Sequence, residues 1–352
     1  MFSRKPSSWR YTSLSPSDGG LAPRKRWSHS LRLTIILMLP LSLVVLALFW
    51  TQISENSSLS PTKISCTDPA TRREWRSLSR REKKDYIDAV KCLATVPSRL
   101  GTNGTIYDDF PWAHTQVSSF THGSASFFPW HRYFIHAYER ALREHCHYEG
   151  NLAYWDWTLD WENITRSPVW GPESGFGGDG NKTGEITLGH GRCIVDGPFA
   201  GQVALFYGTR YDPHCLSRGF GNGDKEGEFS GIGVRPEVVE NILKQDSYEK
   251  FFLDFENGPH SVIPNGVRGD FFSFTAPYDP VFFLHHTQLD RLWWVWQKTD
   301  FKKRVKAYGG RITHHSNEQA SLKDILHMGG LVDNLPVMSV MSTESDLLCY
   351  KY

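Results

Sequence analysis

Residues 279–297, DPVFFLHHTQLDRLWWVWQ, place two adjacent histidines in a helical pattern with few other polar groups beside them. Asp279-Pro280 reads as a helix start, an N-cap candidate followed by proline at the first helical position. His286, Leu289, Asp290, Trp293 and Gln297 then fall at helical spacing, so the imidazole of His286 and the carboxylate of Asp290 share one face. A histidine on an apolar helix face is either a satisfied core residue or a ligand, and this stretch alone leaves both readings open.

A second block, residues 127–142, FFPWHRYFIHAYERAL, has the same character. His131 opens an amphipathic helix, with His122 and then His114 preceding it. Two histidine-bearing helices that bury aromatic faces can converge, and convergent imidazoles in a dry bundle core hold copper, iron or zinc. Four helices are expected near residues 108–119, 131–145, 236–255 and 279–298, and a further one over 80–94 with Tyr86, Ile87, Val90 and Leu93 on its apolar side. The glycine-rich region 158–235 is too long to be idle in a compact domain and is expected to cover or line the site. His190 and His214 within it read as surface residues.

The blocks HGSASFFPWHRYF and DPVFFLHHTQLDRLWW, with YWDW at 154–157 between them and YKY at 350–352 after them, resemble the tyrosinase, catechol oxidase and haemocyanin family over residues 66–352. The resemblance implies a mainly α fold, a four-helix bundle holding a dinuclear metal site, with long irregular loops and little sheet. It further implies two coppers held by six histidines. The first copper site matches fully at His114, His122 and His131; in the second, His260 and His286 match. The remaining ligand should stand four residues after His260, where this chain has Pro264, which offers a metal no side-chain donor. Glu256, Asn265 and His285 are the candidates to make up the loss, although His285 points roughly 100° around the helix from His286.

Glu256 matches the family glutamate that helps deprotonate a phenol. Ser261 stands where an asparagine often accompanies phenol hydroxylation, and Phe120 stands where some members carry a cysteine bonded to a ligand histidine. The YKY motif matches the one that closes the family's core domain, and no shielding domain is expected beyond it. Arg132 and Asp290 are expected as a charge pair tying the metal helices together behind the ligands, with His285 also in that outer layer.

The start of the chain is unlike the rest. Residues 1–32 read as a disordered cytosolic tail, 33–50 as an uncharged apolar transmembrane helix, 51–65 as a stalk and 66–352 as the copper-binding domain. Basic residues before the span place the domain in a lumen or outside the cell, as a single-pass membrane protein. Sequons at Asn56, Asn103, Asn163 and Asn181 agree with glycosylation there. Six cysteines are expected as disulfides, with Cys66–Cys92 and Cys193–Cys215 the pairings suggested by proximity. The net charge of +1 gives no reason to expect a nucleic-acid partner.

The function implied is oxidation of a phenol, on a small molecule or a tyrosine side chain of a peptide, by dioxygen at copper, in secondary-metabolite biosynthesis. Two alternatives stand beside it: a zinc-dependent, cyclopenase-like lyase on the same scaffold, which a depleted second site would suit, and a metal-binding protein without turnover.

Overall fold

The computed structural model describes residues 66–352. Helix α1 (Arg80–Leu93) begins at a capping box in which Ser79 and Glu82 satisfy each other's backbone N–H groups, and it buries Tyr86, Ile87, Val90 and Leu93. Helix α2 (Ile106–Thr121) begins the same way at Thr105 and Asp108 and ends with His122 as its extended C-cap. Helix α3 (Phe127–Cys146) is buried on almost every side from Phe127 to Leu142 and stops where His147 adopts a left-handed backbone. The expected helix over 236–255 is two, α4 (Pro236–Leu243) and α5 (Tyr248–Phe255). The break has a local cause: the Ser247 side chain accepts the Lys250 N–H and restarts the helix, as serine does at an N-cap.

After α5 the chain makes a π-type turn, Glu256–His260, and continues as the short α6 (Ser261–Val267). Helix α7 (Val281–Thr299) is initiated as the sequence suggests, with the Asp279 carboxylate accepting the Val281 N–H at 3.0 Å. The same carboxylate pairs with buried Arg218, whose guanidinium also donates to the carbonyls of Phe176, Gly177 and Gly178. The long loop region is thereby pinned to the start of α7. Among the described residues sheet is limited to short two-stranded pairs, the largest being the hairpin of Val203–Tyr207 with Arg210–Cys215. The fold is mainly helical, as expected.

Helices α3 and α7 pack together at the centre, and their contact is held by charge as well as apolar burial. Arg132 of α3 donates to Asp290 of α7, to Gln297 and to the carbonyls of Val340 and Met341, and its guanidinium lies 3.6 Å from the Trp293 ring centroid. Asp290 also accepts from the hydroxyls of Tyr350 and Tyr352. Buried Arg72 pairs with the same Asp290 and with buried Glu139, and these four buried charges are tolerable in such a core because nearly every polar atom has a partner. The terminal YKY segment thus reports directly to the bundle, while its backbone (Tyr350–Lys351) runs parallel to Ala70–Thr71.

The disulfides are Cys66–Cys349, Cys92–Cys146 and Cys193–Cys215. The expected Cys66–Cys92 pairing is corrected: Cys92 lies near the end of α1 beside the last residue of α3, and Cys66 lies beside the closing strand. Nearness in sequence was a poor guide where helix packing brings the partners together.

The membrane reading is also corrected. No helix among the described residues is long and apolar enough to cross a membrane. The long helices α3 and α7 carry histidines, Arg132 and Asp290 and are buried in the domain's own core. Residues 1–32, 33–50 and 51–65, with the sequon at Asn56, lie outside the described residues. The membrane partner, the single-pass topology and the luminal or extracellular placement are therefore withdrawn. The glycoprotein reading of Asn103, Asn163 and Asn181 rested on that topology and goes with it.

Candidate metal centre

The first histidine group assembles from α2 and α3. His114 lies in α2, His122 caps its end, and His131 occupies the second turn of α3. One donor nitrogen from each lies within 4.8 Å of the others. Each Nδ1 faces a backbone carbonyl: Phe274 at 2.6 Å from His114, Ser118 at 3.2 Å from His122 and Phe127 at 2.7 Å from His131. A carbonyl can only accept, so Nδ1 carries the proton and Nε2 is left with its lone pair for a metal. The His114 and His131 Nε2 atoms stand 3.3 Å apart. That is about the spacing of two imidazole nitrogens that share one tetrahedral ion at ~2 Å each, and two facing lone pairs at that distance call for a cation.

The second group comes from the π-type turn and α7. His260 ends the turn and its Nδ1 lies 3.3 Å from the Glu256 carbonyl. His285 and His286 are buried in the second turn of α7. Donor nitrogens of His260, His285 and His286 lie within 4.8 Å of one another. Neighbours on a helix diverge, yet the ring centroids of His285 and His286 are 5.6 and 5.4 Å from that of His260. The two groups meet where His131 of α3 stacks on His286 of α7, 4.3 Å between centroids.

Burial keeps these imidazoles neutral. It lowers His114 to about 4 and His122 and His260 to about 3, and it depresses His131, His285 and His286 as well. Glu256 is pushed the other way by burial, up to about 7, against the pull of the Gly123 N–H bonded to its Oε1 at 2.7 Å. Its Oε2 has no hydrogen-bond partner among the described residues.

His114, His122, His260 and His286 all line one cavity of about 510 Å³. Pro264 and Asn265 of α6, Tyr207 and Gly208 of the hairpin tip, and Phe272 and Phe274 are also part of its wall. Phe272 and Phe274 are half-exposed and give the mouth an aromatic rim. Their segment is set by Gly269, whose φ of +56° and close approach to the Ser217 carbonyl leave no room for a side chain. A hollow of about 600 Å³ between α1 and the end of α3 holds neither histidine group.

Of the residues singled out in the sequence, His114, His122, His131, His260 and His286 converge, and Arg132 and Asp290 pair behind them. His285 is brought further forward than its helical phase suggests. The loop region 158–235 lines the cavity through its hairpin, while His190 joins neither group and His214 is bonded to Asp270 at 2.9 Å. The Phe274 carbonyl that orients His114, and the aromatic rim, were not legible beforehand. Neither has a signal in residue spacing.

The family model "Common central domain of tyrosinase" matches residues 104–299. The chain is 43% identical to "Tyrosinase ustQ" of Aspergillus flavus, over 100% of this chain and 99% of that one. It is 41% identical to "Tyrosinase-like protein phomQ1" of Diaporthe leptostromiformis, with both chains covered in full. Among solved structures, a mutant of a polyphenol oxidase from Thermothelomyces thermophila matches with a TM-score of 0.71 and 28% identity, over 86% of this chain and 94% of that one. The two facing histidine groups fit a copper pair, and with these matches the chain belongs to the tyrosinase family as a copper-dependent oxidoreductase acting on phenols.

Proposed function

We propose that the substrate is a phenolic ring carried on something larger than a free phenol, a tyrosine-type side chain of a peptide or a comparably sized secondary metabolite. The observation that carries this reading is the open cavity of about 510 Å³ on which both histidine groups face and whose rim is aromatic. A single ring fills only part of that space. Phe272 and Phe274 offer stacking faces to the ring or its neighbours.

In this reading His114, His122 and His131 hold one copper, and His260 and His286 hold the other. A bound copper pair supplies the redox chemistry by which dioxygen oxidises a phenol. The protein's own contribution is to keep the imidazoles neutral and aimed, through burial and carbonyl partners. Glu256 is the proton acceptor. Its raised value near 7 lets it take a phenolic proton at neutral pH, and it opens the turn that ends at His260, a residue that would hold the second copper. Arg132 and Asp290 hold α3 and α7 in register behind the ligands.

The test is oxygen uptake by the copper-loaded full chain offered a small catechol, free tyrosine and tyrosine-containing peptides. Faster uptake with the larger phenols is expected. Uptake with catechol alone would overturn the larger-substrate proposal.

A further inference from the structure

We infer that His285 completes the second copper centre, supplying the third imidazole that the chain lacks at Pro264. The inference rests on the copper reading above and adds a ligand to it. Of the three residues that could make up the loss, the structure disfavours two. Asn265 is exposed and its side-chain amide donates to the Ser261 carbonyl at 2.7 Å. Glu256 is bonded to the Gly123 N–H through Oε1 and, although its Oε2 has no partner among the described residues, it belongs to neither group of converging donor atoms.

His285 does belong to such a group. It is fully buried, and neither ring nitrogen has a hydrogen-bond partner among the described residues. A neutral imidazole has one donor and one acceptor nitrogen, and buried polar atoms are rarely left unmet. An ion held jointly with His260 and His286, whose donor atoms lie within 4.8 Å, meets the acceptor. Trp157 and Phe271, with ring centroids at 6.4 and 6.0 Å, flank the His285 ring.

The arrangement also explains how the chain tolerates proline in α6. Pro264 lines the cavity, where an imidazole would otherwise stand. With His285 as the third donor, the metal's ligands come from the turn and α7, and the α6 wall is left free for substrate.

The experiment is copper content and electron paramagnetic resonance of the copper-loaded full chain and of His285→Phe, which keeps an aromatic ring but no donor. Expected are two coppers per chain with a silent, coupled spectrum for the unaltered protein, and one copper with an isolated copper(II) signal for the variant. Two coppers and a silent spectrum in His285→Phe would overturn the assignment and leave the copper reading intact; an unaltered chain that binds no copper would overturn both. If His285→Phe does not fold, His114→Ala loaded with one copper leaves His285 in place. Counting its coordinated imidazoles by electron spin-echo modulation should give three, and two would overturn the inference.

Discussion

The two histidine groups of this chain differ in how firmly they are held. In the first, every Nδ1 is fixed by a backbone carbonyl, and two rings grow from long buried helices. In the second, His260 sits on a π-type turn that contains Gly258 and Pro259, and the Nδ1 atoms of His285 and His286 have no partner among the described residues. Preorganised ligands lose less freedom on binding metal, and the hydrogen bond at the far nitrogen raises their basicity. The first group should therefore bind copper before the second, although both are needed to oxidise a phenol.

Removing one ligand from each side tests the contrast most strongly. His114→Ala and His260→Ala should both reduce phenol oxidation to background, yet the copper left in His260→Ala should resist a chelator about 10- to 100-fold better than that left in His114→Ala. Equal resistance would remove the asymmetry. Asp290→Ala should loosen both groups together, since it removes the carboxylate that buried Arg132 and Arg72 share between α3 and α7. A loss of about 3–5 kcal/mol in unfolding free energy is expected, measured by denaturant titration.

Glu256 belongs to the weaker side, and its effect depends on pH. A carboxyl raised from its ordinary 4.5 to about 7 binds its proton more tightly in the folded state, so metal-free protein loses stability as pH climbs between those values and loses no more above them. Glu256→Gln should match the unaltered metal-free protein at pH 4 and exceed it at pH 8 by up to about 3 kcal/mol. No gain at pH 8 would contradict the buried-carboxyl account.

The smallest effect concerns the support of the first group. Asp270 precedes the Phe274 carbonyl that orients His114, and His214 anchors it from the hairpin. Burial lowers His214, but the hydrogen bond and charge of Asp270 outweigh it and leave the imidazole raised. Its contribution is thus present below the ordinary histidine value near 6.5 and is lost as pH rises through the raised one. His214→Ala should cost no more than about 1 kcal/mol at pH 5.5 and less at pH 9. Equal losses at both would point to packing alone.

The helices were legible because they rest on local pattern, apolar periodicity and a proline at a helix start, and five of the converging histidines because they stand in motifs long enough to resemble a family. The split between α4 and α5 was missed because a single serine cap overrode a continuous apolar stripe. Cys66–Cys92 failed because pairing is a property of packing, which spacing does not carry. His285 was placed behind its neighbour on helical phase, but the long imidazole reaches further than a Cα direction implies. The membrane reading came from composition outside the described residues, and no described helix supports it.

The most direct measurement is a copper titration of the metal-free full chain, following phenol oxidation against copper bound per chain. Ordered filling of a cooperating pair predicts almost no activity up to one copper and a linear rise between one and two. Activity that saturates at one copper, or stays absent at two, would contradict it.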